Sequence, residues 1–184
     1  MRNNNNSTLN IMYNFLQKKE ILILSFVGTV ILTLILNRIE YKFAGSSGAG
    51  NFALQFAFTK TNFEMVLAAW GTAGIELFIK SMWIDLLYII SYTTLFLSAP
   101  IYFHNLRNKK FSIDETFNIK LMIVPLGACL FDLIENIFHI VILTQRFFYE
   151  KIIFLSSLSS SLKFIFFIAS LVIILIKYFK MRKT

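Results

Sequence analysis

Cysteine occurs once, as Cys129 inside an apolar run, which excludes an intrachain disulfide and a cysteine-based zinc site. Cys129 therefore reads as a buried structural thiol. Two prolines and seven glycines in 184 residues, with no second composition regime and no repeat of a solenoid or propeller kind, leave no separate globular domain to expect. Catalytic signatures are missing as well: there is no Gly-rich phosphate loop, no G-x-S-x-G elbow and no H-E-x-x-H pair. A serine of the run Ser156–Ser161 acting with His139 is the one nucleophilic arrangement that the spacing permits, and nothing else singles it out. Charge is scarce too, at 15% of residues.

What fills the chain is apolar. Hydrophobic residues make up 57%, phenylalanine alone numbers 21, and the mean hydropathy is +0.66, too much for a soluble domain of this size. Four runs, Ile21–Asn37, Leu77–Phe103, Leu121–Leu143 and Ile152–Phe179, are each long enough to cross a hydrocarbon core, which takes about 20 helical residues. The first run is too long for a signal peptide, is flanked by Arg38, Glu40 and Lys42, and lacks a small-x-small cleavage site, so it reads as an uncleaved span. The expected fold is an all-α membrane protein, a four-transmembrane-helix bundle. Residues 1–19, with four consecutive asparagines, read as a disordered or polar cytoplasmic tail, and residues 20–184 as a single four-helix transmembrane domain. The bias to Asn, Lys, Ile and Phe fits an AT-rich, bacterial genome and hence a bacterial inner membrane.

The formal net charge of +8 would suit nucleic acid if the basic residues formed a patch, but they stand in short clusters beside the apolar runs, so no nucleic-acid partner is expected. The tail (Arg2, Lys18, Lys19), the second loop (Arg107, Lys109, Lys110, Lys120) and the carboxyl end (Lys177, Lys180, Arg182, Lys183) hold more Lys and Arg than the first and third connections (Arg38, Lys42, Lys60, Lys80, Arg146, Lys151). That asymmetry predicts cytoplasmic termini in a multi-pass protein of the cell membrane. In the first outer loop, Thr61-Asn62-Phe63-Glu64 is a capping-box pattern ahead of Met65–Trp70, with a stop at Gly71. It predicts a short helix on the outer surface, with Trp70 near the headgroups.

Four ionisable side chains fall inside the spans: Asp85, Asp132, Glu135 and Lys163. Each costs about 2.5–3.5 kcal/mol near the bilayer centre, so four together imply a shared interior site. By helical rise, Asp85 and Glu135 lie about 12 Å below the outer ends of their helices, and Asp132 and Lys163 about 16 Å. Asp132, Glu135, Asn136 and His139 follow the i, i+3, i+4, i+7 pattern of one face, Asp85, Tyr88 and Tyr92 share another, and Ser156, Ser160 and Lys163 a third. Lys163 is expected to pair with Asp132 or Asp85, and Glu135 to be the group that gains or loses a proton. His139, about 6 Å from the outer surface, is read as an interfacial side chain and not as a metal ligand; no metal or cofactor is called for.

The succession Leu54-Gln55-Phe56-Ala57-Phe58-Thr59, Trp70-Gly71, Gly74, Asp85 with Tyr92, Pro125-Leu126 leading to Asp132-x-x-Glu135-Asn136, and Ser161-Leu162-Lys163-Phe164 resembles a widespread family of small four-helix bacterial membrane proteins. The likeness runs from about Leu54 to Phe179 and implies that Asp85, Asp132, Glu135, Asn136 and Lys163 act as one unit. It implies no particular activity. From the residues themselves, the leading expectation is a buried pocket, lined by Asp85, Tyr88, Tyr92, Asp132, Glu135, Asn136 and Lys163, that binds a small or lipid-like ligand or relays protons during transport. Two alternatives stand beside it. One is a structural or accessory subunit whose buried charges fix helix packing; the other is an intramembrane enzyme that transfers protons on a lipid-like substrate.

Overall fold

The computed structural model describes residues 5–45, 48–107, 115–145 and 148–182. Lys109 and Lys110 of the second loop and Arg146 of the third connection lie outside the described residues, as does the start of the tail. The described chain is all-helical, in the order α1 (Asn5–Leu16), α2 (Lys19–Ala44), α3 (Asn51–Gln55), α4 (Lys60–Arg107), α5 (Glu115–Gln145) and α6 (Glu150–Arg182). Four of these helices are long and apolar enough to cross a membrane, over Lys19–Ala44, Lys60–Leu106, Met122–Gln145 and Glu150–Phe179. Each outruns the apolar stretch that announces it, because the polar residues at its ends continue the helix.

Helix α4 contains a break. Gly71 has φ +65° and ψ −180°, a conformation that a Cβ disfavours, so the segment before it is set off from the long helix that follows. The expected stop at Gly71 is therefore present, but the start lies earlier: Thr59 accepts a hydrogen bond at Oγ1 from the Asn62 amide, 3.3 Å, in place of a cap at Thr61. Phe63, Val66, Leu67 and Trp70 of this segment are buried against Phe43, Phe78 and Ile142. Trp70 is thus part of the core, not a free headgroup anchor, and its indole N–H donates to the Ala49 carbonyl. The stretch read as a polar tail is also helical, over Asn5–Leu16. Tyr13 and Leu16 bury against Leu97 and Ile101, and the Tyr13 hydroxyl donates to Asn105 Oδ1 at 2.8 Å.

Two tight seams hold the long helices. Between α2 and α4, Ser25, Gly28 and Thr29 meet Ser91, whose hydroxyl donates to the Ser25 carbonyl at 3.1 Å and lies 3.1 Å from Thr29 Oγ1. Small residues there allow the close approach on which helix pairing in lipid depends. Between α5 and α6, a Cβ at Gly127 would stand 2.8 Å from the Phe166 ring, so the absence of a side chain permits the contact. Helix α2 packs along α4, and among the described residues no comparable packing joins α2 to α5 or α6.

Outward faces are apolar: Leu24, Val27, Ile31 and Leu34 of α2 and Ile165, Ile168, Leu171 and Leu175 of α6 are all exposed. Soluble monomers rarely expose apolar surface of this extent. Inside, one apolar cluster gathers Leu54, Phe63, Trp70 and Ile153 near the α3 end, and another gathers Ile89, Tyr92, Phe96 and Ala128 farther along. The buried charges lie between them.

Candidate functional site

Asp132 and Glu135 are one helical turn apart on α5 and therefore face the same way. Lys163 of α6 meets both: its Nζ donates to Asp132 Oδ1 at 3.1 Å and sits 2.7 Å from Glu135 Oε2, an ion-pair contact off the hydrogen-bonding direction. Of the two partners expected for Lys163, the structure selects Asp132, and it adds Glu135. Tyr92 of α4 donates to the other Asp132 oxygen at 2.9 Å, so that carboxylate is held from two helices. Asp85, also on α4, accepts a hydrogen bond from Asn136 Nδ2 at 2.6 Å. Three helices are thereby cross-linked through polar groups, each bond supplying what lipid or apolar core cannot. Tyr88 is half-buried, with its ring centroid 5.2 Å from that of Tyr92, and lines the space beside Asp85.

Two cavities adjoin this network. The larger, about 190 Å³, is a groove with α2 (Thr33, Asn37) on one side and α6 (Phe164, Phe167) on the other; Asp85, Tyr88, Tyr92 and Asp132 form its floor. Because α2 does not pack on α6, the groove is partly open along that side. The ring of Phe52, which lines the groove, and that of Phe56 stack against Phe164 at 5.4 and 5.5 Å. The smaller cavity, about 60 Å³, shares Leu36, Glu40, Asn51, Gln55 and Asp85 with the groove and extends to Ser81, Asn136 and His139. The shared residues make the two chambers neighbours across one polar wall.

Several of these residues escape a reading by sequence. Glu40 looks like a charged flank beyond the first span, yet α2 continues to Ala44 and carries Glu40 into the cavity wall, where its Oε1 accepts the Asn51 amide at 2.7 Å. Asn51 and Gln55 sit in a connection that folds back into the bundle as α3, tied down by a hydrogen bond from the Phe58 amide to Ser157 of α6, 3.0 Å. Their i, i+4 spacing is the one sequence signal that both face one way. His139, expected at the interface, is 1% exposed and packs against Phe63 and Phe78. Among the described residues neither of its ring nitrogens has a hydrogen-bond partner, and Glu135 Oε1 lies 3.8 Å from Nδ1. Among the described residues no serine hydroxyl engages His139, so the pair with a serine of the run Ser156–Ser161 that the spacing permits is not formed.

Neither family models, curated proteins nor solved structures match this chain. The chemistry of the site must be read from its own geometry. Among the described residues, no three His, Cys, Asp or Glu side chains converge as a metal ion requires. What converges instead is a set of hydrogen-bonding groups around a space bordered by aromatic side chains.

Proposed function

We propose that this is a multi-pass membrane protein that binds a lipid-like molecule in the groove between α2 and α6, its polar end directed to Glu40, Asn51, Gln55 and Asp85. The single observation that carries this reading is the gap between α2 and α6, lined by polar residues at its floor and by Phe52, Phe164 and Phe167 at its sides. A cluster of charges serving only to fix helix register has no need of an adjoining open space. The exposed apolar faces of α2 and α6 supply the matching surroundings, since a ligand entering from acyl chains crosses no water. With the Lys and Arg asymmetry of the ends, the termini lie on the cytoplasmic side and the Lys60–Trp70 segment on the outer side, so α3 reaches into the bundle from outside.

The Lys163–Asp132–Glu135 group is the scaffold of this site: Lys163 bridges the two carboxylates and holds α5 against α6 beside the groove. Native mass spectrometry of the protein released from a mild detergent tests the proposal. The expected spectrum contains one retained apolar molecule per chain, lost in Thr33→Trp, whose ring would fill the groove from the α2 side. A wild-type spectrum with no adduct, or an adduct indifferent to Thr33→Trp, would contradict it.

A further inference from the structure

The polar groups of the cavities are not balanced in charge. Lys163 is matched by Asp132 and Glu135 together, which already exceed it by one carboxylate. Glu40 and Asp85 then stand on the wall shared by the two chambers, each receiving a hydrogen bond from a neutral amide, and neither has a cation within ion-pair distance among the described residues. Acceptors outnumber donors around the small cavity. At its far end His139 is buried with both ring nitrogens idle, although buried polar groups are nearly always satisfied. A group that belongs in this chamber therefore brings positive charge and several N–H donors.

Resting on the lipid-pocket reading above, we infer that the polar end of the ligand is an amine, a primary or secondary ammonium held between Glu40 and Asp85 within reach of His139, with its apolar chain leaving through the groove. Three features define its size and course. The inner chamber, about 60 Å³, admits a head of only a few heavy atoms. The aromatic wall of Tyr88, Tyr92 and Phe164 suits a cation on its way in, since ring faces attract positive charge. A phosphate-bearing head would set like charge against Glu40 and Asp85, so the ligand is a simple long-chain amine and not an aminophospholipid. The protein's own formal charge of +8 disfavours cations in general, which makes a preference for an amine a local property of this chamber.

Dodecylamine, dodecanol and dodecanoate, equal in chain and different in head, are titrated calorimetrically into the full-length protein in phosphatidylcholine nanodiscs, with empty nanodiscs as the baseline; lyso-phosphatidylethanolamine is the fourth probe. The expected result is saturable binding of dodecylamine at least tenfold tighter than dodecanol, with dodecanoate and the lysolipid weaker still, and a loss of that tenfold preference in Glu40→Gln and in Asp85→Asn. Equal saturable binding of amine and alcohol would overturn the amine assignment while leaving the pocket in place, as would a preference for the lysolipid. No saturable binding of any probe would overturn the pocket as well. Where a variant does not fold, the ranking of the heads on the unaltered chain decides the matter.

Discussion

Lys163 illustrates how a buried charge is held at the scale of a single residue. Its Nζ has two carboxylates within 3.1 Å, and removal of the ammonium leaves both in an apolar interior with Tyr92, among the described residues, as the remaining donor to Asp132. Breaking a buried pair from one side costs about 3–5 kcal/mol, because the surviving charge is stranded. Lys163→Met is thus expected to lower stability by about that amount in thermal unfolding of the detergent-solubilised protein, and Lys163→Met combined with Asp132→Asn and Glu135→Gln to regain most of it. A triple variant no more stable than the single one would mean that the ion pairs are not what the Lys163→Met change removes. His139 is the counterexample at the same scale: its spacing from Asp132 puts it on the right face, but depth counted along a helix does not reveal that Phe63 and Phe78 close over it.

At the scale of elements, the α5–α6 pair depends on a missing side chain. Gly127 lies under the Phe166 ring, 2.8 Å from where a Cβ would be, and aromatic rings yield little. Gly127→Ala is expected to cost about 1–3 kcal/mol through overpacking, with partial recovery in Gly127→Ala/Phe166→Leu, both read from thermal unfolding. An alanine variant as stable as the wild type would show that the two helices separate freely. The long helices were legible in sequence because an 18-residue apolar run has few other fates. So was the approach of Asp132 and Glu135 to Lys163 and of Asp85 to Asn136, since helical spacing determines which side chains share a face. The short elements were not. Helix α3 has five residues, too few for periodicity to speak, and its place is decided by tertiary bonds from Glu40 and Ser157. For the same reason α1, with its run of asparagines, reads as a tail until Tyr13 finds Asn105.

For the whole molecule, the four long helices carry apolar residues on their outward faces, as the proposed place in a membrane requires. Of the two tryptophans, Trp83 is 72% exposed two residues from Asp85, whereas Trp70 is buried. In Trp70→Phe, the remaining fluorescence is expected to be quenched strongly by lipids brominated on their chains and weakly by acrylamide, because the proposed place in a membrane turns the exposed Trp83 to the hydrocarbon. Strong acrylamide quenching with no effect of the brominated chains would take the helices out of the membrane.

The binding role proposed for the groove between α2 and α6 can be probed from its own wall. A photoreactive benzoylphenylalanine at Asn37, which lines the groove, and another at Trp83, on the outer face of α4, are irradiated in native membranes and their adducts identified by mass spectrometry. One defined apolar molecule enriched at position 37 over the mixed lipids captured at position 83 is the expected result. The same lipid mixture at both positions would reduce the groove to an ordinary gap between helices.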